Sequence, residues 1–117
     1  MAIVNMTNVG VKGEKGQFAW EYEDDVSSVT EGDTIIIPGG VVGIAVTLDI
    51  GAACTAKVQT TTDKIQDVIN EKATVTWVDW DAGAVIADTQ DYCKPVTAIR
   101  LVQTIGTNKT KMKLRAQ

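Results

Sequence analysis

The sequence predicts an all-β fold of about eight strands, arranged as a sandwich or a barrel, with one short helix near residues 64–70. Three observations support this fold. Periodic runs are short, glycine- or proline-containing turns separate them every 8–12 residues or so, and most runs alternate between apolar and polar residues, as half-buried strands do. At 117 residues the chain has the usual length of one domain.

The N-terminal segment has a different pattern from the rest of the chain. Residues 1–16 contain glycine and lysine with weak periodicity, so we expect an extended arm or loop there, without a secretory signal. Residues 17–117 then form the single β domain.

The domain begins with an aromatic strand. Gln17 to Glu23 alternates, and one face of the strand carries Phe18, Trp20 and Tyr22. We expect this stripe in the core, or at a protein interface if the N-terminal region is peripheral, since aromatic residues dominate binding hot spots.

Four more strands follow before the helix. Val26–Thr30 is a candidate short strand, and the β-branched run Thr34–Ile37 predicts a strand covered on both sides. Ile44–Ile50 and Cys54–Thr60 both alternate, with Cys54 on the apolar side. The short turn after Gly51 predicts that these two strands form an antiparallel hairpin.

One stretch has helical spacing. Ile65, Val68 and Ile69 recur at i, i+3 and i+4, and Asp63 with Gln66 has the form of a capping box. We expect a short helix that covers one open end of the sheets.

The strand pattern resumes after the helix. Candidate strands are Ala73–Trp80, Ala84–Asp88, Val96–Thr104 and a final strand from Thr110. Trp77 and Trp80 differ by three positions, so they lie on opposite faces of their strand. Because Trp77 shares its parity with Val75, it is the better core candidate. Trp80 is then either an exposed aromatic at an interface or a cap on the core near the turn.

Charge is distributed unevenly along the chain. The net charge is −4, with −6 in residues 1–50 and +2 in the remainder, a balance that disfavours nucleic-acid binding. The final strand carries a basic row, Lys109, Lys111, Lys113 and Arg115. This row is a solvated face, or an edge that lysines protect against aggregation, or a surface that meets acidic groups on a partner or on the segment Glu21–Asp25.

Several kinds of chemistry lack their usual residues. The chain has no histidine, and its two serines, Ser27 and Ser28, lie outside a nucleophile-elbow motif. Cys54 and Cys93 have no metal or redox spacing, and a buried free thiol at Cys54 is favoured over a disulfide. The aspartates around Trp80 and downstream of it do not form a calcium loop. We therefore expect no enzymatic activity, cofactor or metal, and no membrane span.

Much of the chain resembles small β-sandwich proteins of tailed bacteriophages. The resembling blocks are GIAVTLDIGAACTAKVQTTTD, ATVTWVDW with DAGAVIADTQDY, PVTAIRLVQTIGT and KMKLRAQ. The resemblance implies an antiparallel jelly-roll sandwich that decorates the outside of a capsid as a cement subunit. Similar sandwiches occur in head fibres and tail spikes, where they bind a receptor or carbohydrate.

The resemblance also implies partners and a location. The major capsid protein is the expected partner, the chain is expected to form a homotrimer, and neither nucleic acid nor membrane is expected to bind. The resemblance further implies assembly in the host cytoplasm and a final location at the virion surface. We expect the contacts at Phe18, Trp20, Tyr22, Trp80, Lys109, Lys111, Lys113 and Arg115.

Overall fold

Two β-sheets pack face to face in a sandwich, in a computed structural model that describes residues 2–9 and 19–117. The six-stranded sheet contains β1 (Ile3–Asn5), β4 (Thr30–Glu31), β5 (Thr34–Ile36), β7 (Thr55–Thr61), β8 (Val78–Asp79) and β10 (Ala98–Ile105). The five-stranded sheet contains β2 (Thr7–Asn8), β3 (Trp20–Val26), β6 (Ile44–Asp49), β9 (Thr89–Cys93) and β11 (Thr110–Ala116). The prediction of an all-β sandwich with one short helix is confirmed.

The strand orders place long strands at the centre of both sheets. The larger sheet runs β1-β5-β10-β7-β8, with β4 also on β10, and the smaller runs β2-β3-β11-β6-β9. β1 pairs in parallel with β5, and the other pairs between the described strands are antiparallel.

The main core lies between the two sheets. Strand alternation supplies it, because every second side chain of a strand points to the same face. Val46 and Leu48 of β6 and Ile99 and Leu101 of β10 are fully buried there, as predicted from their spacing. Met112 of β11 joins them.

A second, smaller apolar cluster lies on the outer face of the six-stranded sheet. Helix α1 (Ile65–Ile69) places Val68 against Ile36 and Ala98. The helix is therefore where the spacing predicts it, but it covers a sheet face rather than an open end of the sandwich. Only Val68 of the three periodic residues is buried; Ile65 and Ile69 are exposed.

The predicted capping box is wrong. Lys64 is the N-cap of α1 and makes no side-chain cap. Oδ2 of Asp63 instead accepts a hydrogen bond from the backbone N–H of Thr76 at 2.6 Å. Asp63 therefore ties the segment after the helix to the start of the helix.

The predicted hairpin between β6 and β7 is also wrong. β6 pairs with β11 and β9, whereas β7 pairs with β10 and β8, so the two strands lie in different sheets. A tight turn, closed by the N–H of Cys54 donating to the Gly51 carbonyl at 3.1 Å, carries the chain across the sandwich. Ala53 adopts a φ of 58° in this turn.

Two predicted strands are shorter than their patterns. Within 73–80 only Val78–Asp79 forms a strand, and within 84–88 only Val85 makes a bridge, to Ala56. Both segments lie beside β7, so the edge of the six-stranded sheet is irregular.

The arm predicted over residues 1–16 is wrong for residues 2–9. β1 pairs with β5 in one sheet, β2 pairs with β3 in the other, and Met6 between them is buried in the main core. Residues 10–16 of the predicted arm, and Phe18, lie outside the described residues.

Candidate interaction surface

The outer face of the five-stranded sheet carries a ladder of opposite charges. β3 presents Glu21, Glu23 and Asp25 beside the basic row of β11. The cations pair as Lys109–Asp25 at 3.3 Å, Lys111–Glu23 at 3.7 Å, Lys113–Asp49 at 2.9 Å, and Arg115 with Glu21. The hydrogen bond and charge of Asp49 raise the pKa of Lys113.

The ladder shows which acidic groups pair with the basic row. Four cations meet four carboxylates of the same chain, so the acidic segment Glu21–Asp25 is an internal partner of the row. Exposed pairs of this kind add little stability each. Their effect is to leave this face nearly neutral, so shape and apolar contact matter more here than long-range attraction.

The aromatic side chains of β3 point the other way. Trp20 and Tyr22 are half-buried and pack against the main core. Burial, followed by the nearby charges of Asp33 and Asp24, raises the pKa of Tyr22. These contacts match the expectation that the stripe is part of the core, and a role for these two residues at an interface stays a prediction.

Trp80 is not an exposed interface residue. Its side chain is only 5% exposed and lies in the main core, and its Nε1–H donates to the Gly83 carbonyl at 2.6 Å. Trp80 therefore caps the core at the turn. Trp77, the predicted core residue, is half-buried in the outer cluster instead.

An exposed apolar patch lies at one edge of the five-stranded sheet. Val42 is 83% exposed and Tyr92, on the edge strand β9, is 73% exposed. Both line one shallow cleft together with Gly43, Ala45, Cys93 and the paired Arg115. We call this surface the Val42–Tyr92 patch.

The backbone under the patch is fixed on both sides. Gly43 and Gln117 exchange two N–H···O bonds at 3.1 Å, and Ala45 is the register partner of Tyr92. Large exposed apolar side chains beside a hydrogen-bonded sheet edge are typical of protein contact sites. Val42 is not among the contacts predicted from the sequence, although its place beside Val41 in a Gly-rich turn is a usable signal.

The outer face of the six-stranded sheet has a hydrogen-bonded polar row. Nη1 of Arg100 donates to Glu31 at 3.1 Å, and its Nε donates to Gln59 at 2.9 Å. Gln59 donates in turn to Asp79 at 3.1 Å, and Lys57 Nζ lies 3.2 Å from the same carboxylate. These bonds to Gln59 and Lys57 lower the pKa of Asp79.

The described residues offer no assembled metal or redox centre. Nowhere in residues 2–9 and 19–117 do three or more metal-ligating side chains come together. Cys54 and Cys93 are both free thiols; Cys54 is buried, with its Sγ 3.4 Å from the Asn108 carbonyl. Burial, and then the charges of Asp91 and Asp81, raise the pKa of Cys93 and reduce its reactivity.

Comparison with protein families and with curated proteins gave no match to this chain. In the part of the chain that the structure describes, no helix has the length and apolar character needed to span a membrane.

Proposed function

We propose that this chain is a capsid decoration (cement) protein of a tailed bacteriophage, binding the outer surface of the head and bridging neighbouring capsid subunits. The family resemblance suggests this role, and the jelly-roll type and trimeric state that it implies belong to the same proposal. Its blocks fall largely on β6, β7, β10 and β11, the long strands that build both sheets.

The Val42–Tyr92 patch is the observation that supports the proposal most directly. It combines two highly exposed apolar side chains with a neighbouring face whose charges are already paired. A partner can cover such a surface without leaving unpaired charges behind. The patch is the centre of the proposed contact with the major capsid protein.

The proposed mechanism is mechanical. A rigid sandwich that contacts two capsid subunits adds buried interface, on the order of 1,600 Å² per standard contact, that must open before the shell does. Repetition over a symmetric shell makes many such contacts act together. The chain itself needs no chemical step for this role.

Binding to undecorated capsids tests the proposal. We expect the wild-type protein to co-sediment with capsids, and Val42→Ser/Tyr92→Ser to bind about tenfold more weakly, since two central apolar contacts are lost. Ile86→Ser/Val29→Ser is the matched control, because both side chains are highly exposed and lie outside the patch. If the wild-type protein does not bind capsids, the proposal is contradicted. If the two variants lose the same amount of capsid affinity, the Val42–Tyr92 patch is not the contact site.

Deletion of the N-terminal segment is a poor test. Met6 is buried in the main core, β1 is a strand of the six-stranded sheet, and β2 is a strand of the five-stranded sheet. Removing residues 1–16 would therefore damage the fold. Point variants in the patch avoid that problem.

The alternative is a receptor- or carbohydrate-binding module of a head fibre or tail spike. Exposed Tyr92 supports it, because an accessible aromatic ring in a shallow cleft can stack on a sugar. A glycan array with wild-type protein and Tyr92→Ser tests this alternative. A signal that depends on Tyr92, without capsid binding, would favour the fibre or spike.

A further inference from the structure

A second cleft lies on the outer face of the six-stranded sheet. One side of it is the sheet, and the other side is α1 and the segment that follows α1. The cleft encloses about 320 Å³. Its lining includes Thr34, Val68, Glu71, Lys72, Val75, Trp77 and Arg100. We call it the Trp77 cleft; none of the functional residues expected from the sequence lines it.

One wall of the cleft is polar and held in place before any ligand arrives. The guanidinium of Arg100 lies 4.1 Å from the centre of the Trp77 ring and is fixed by bonds to Glu31 and Gln59. Those bonds use only part of the donor capacity of a guanidinium. Fixed donors bind a ligand with little loss of side-chain entropy.

The helix side of the cleft mixes apolar and charged residues. Val68 and Val75 form its apolar part, and Glu71 and Lys72 lie between them in the chain. Val68 is almost completely buried. The cleft volume is at the small end of the range for organic-ligand sites. Its occupant therefore has one polar rim and one apolar face, on the scale of one or two small rings.

Charges of both signs line the cleft, Arg100 and Lys72 beside Glu71, and this mixture favours a neutral occupant. Arg100 is paired with Glu31 at 3.1 Å, and Lys72 is paired with Asp67 at 2.9 Å. A carboxylate or phosphate ligand would have to compete with both pairs. A neutral molecule that accepts hydrogen bonds does not need to break either of them.

We propose that the Trp77 cleft binds a neutral saccharide of one or two rings. A pyranose has hydroxyl groups around its rim and C–H groups on its faces, which match the Arg100–Thr34 side and the Val68–Val75 side of the cleft. This inference does not rest on capsid decoration, and it uses a different sheet from the Val42–Tyr92 patch. A head-bound subunit with such a cleft would present a sugar-binding site at the virion surface.

An amide-resolved NMR titration of the whole chain tests this inference. The probes are methyl glycosides of glucose, galactose, mannose and N-acetylglucosamine, up to about 10 mM, a range that detects Kd values near 1 mM. We expect at least one glycoside to shift amides at Thr34, in residues 68–77 and at Arg100. Sodium acetate is the anionic probe and is expected to leave these amides unchanged.

Two variants test the residues that carry the inference. Thr34→Val and Arg100→Gln are each expected to weaken glycoside binding by about tenfold, the effect of leaving a sugar hydroxyl unpaired. Arg115→Gln is the matched control, since it also removes an arginine paired with a glutamate but lies on the other sheet. It is expected to bind glycosides as the wild type does.

The wild-type titration decides the outcome even if a variant folds poorly. No glycoside-induced shift, shifts confined to the Tyr92 cleft, or equal shifts with acetate would each overturn the inference. Shifts at the Trp77 cleft that Thr34→Val weakens and Arg115→Gln does not would support it.

Discussion

Trp77 and Trp80 lie three residues apart and pack into different apolar clusters on opposite faces of the six-stranded sheet. Trp80 is in the main core and bonds to Gly83, whereas Trp77 joins the outer cluster under Arg100. The two indoles therefore pack on the two faces of the irregular sheet edge, Trp80 on the inner face and Trp77 on the outer face. Because the main core is completely enclosed and the outer cluster is not, their contributions to stability should differ.

Replacement of each tryptophan by alanine measures that difference. Trp80→Ala is expected to lower the free energy of unfolding by about 3–5 kcal/mol, as for other large-to-small core substitutions. Trp77→Ala should cost less than half as much, since its side chain is half-buried. Urea denaturation gives both values. Equal losses would contradict the assignment of the two indoles to clusters of different burial.

Gly106, in the turn between β10 and β11, should not tolerate a side chain. Its φ is +101°, and an added Cβ would lie 2.5 Å from Sγ of Cys54 and 2.9 Å from the Ala53 carbonyl. Gly106→Ala is therefore expected to destabilise the protein by about 2 kcal/mol or more. Gly39→Ala is the control, because nothing lies within 4 Å of its added Cβ, and its effect should stay below about 1 kcal/mol. Similar thermal midpoints for the two variants would contradict this prediction.

Asp24 gives the protein a specific pH dependence. Burial, followed by the charge of Asp33, raises the pKa of Asp24 above its ordinary value, although its Oδ2 accepts a hydrogen bond from the Asp33 N–H at 2.9 Å. The folded state therefore binds this proton more tightly than the unfolded state does. The ionised carboxylate costs stability above the raised pKa, and the cost disappears as the pH falls through that pKa and below 3.8.

Asp24→Asn should remove this cost and keep the oxygen that accepts from Asp33. We expect the variant to be more stable than the wild type at pH 7, with the difference shrinking as the pH falls toward 4. Urea midpoints at several pH values measure the effect. Glu23→Gln removes a carboxylate from an exposed position on the same strand and is the control for the loss of one negative charge. A difference that grows on acidification would reverse the sign and contradict the assignment.

The sequence predicts strand faces well wherever one face is buried and the other is solvated. β11 is the clearest example: Met112 and Leu114 face the core, and Lys113 and Arg115 lie outside, as alternation requires. Trp77 and Trp80 show the limit. Their opposite orientations follow from spacing, but α1 covers the outer face, so apolar character no longer tells which face is the interior.

Pairing between strands was less predictable than their faces. A short turn after Gly51 fits a hairpin, and it equally fits a crossing from one sheet to the other, because both place apolar residues toward the same core. Partner choice depends on distant strands: β11 and β9 occupy the two sides of β6 and leave no edge for β7. The two clefts depend on such distant neighbours too, which is why Val42 and Arg100 became candidates only in three dimensions.

The final prediction concerns the charge ladder. Lys113 and Asp49 lie 2.9 Å apart across β11 and β6, and both side chains are about half exposed. A double-mutant cycle with Lys113→Met and Asp49→Asn is expected to give a small favourable coupling at low salt, because both charges are exposed to water. Added salt should reduce it, because exposed charges are screened. A large coupling that persists in high salt would mean that the ladder stabilises the sheet, and would contradict the view that it only neutralises the outer face.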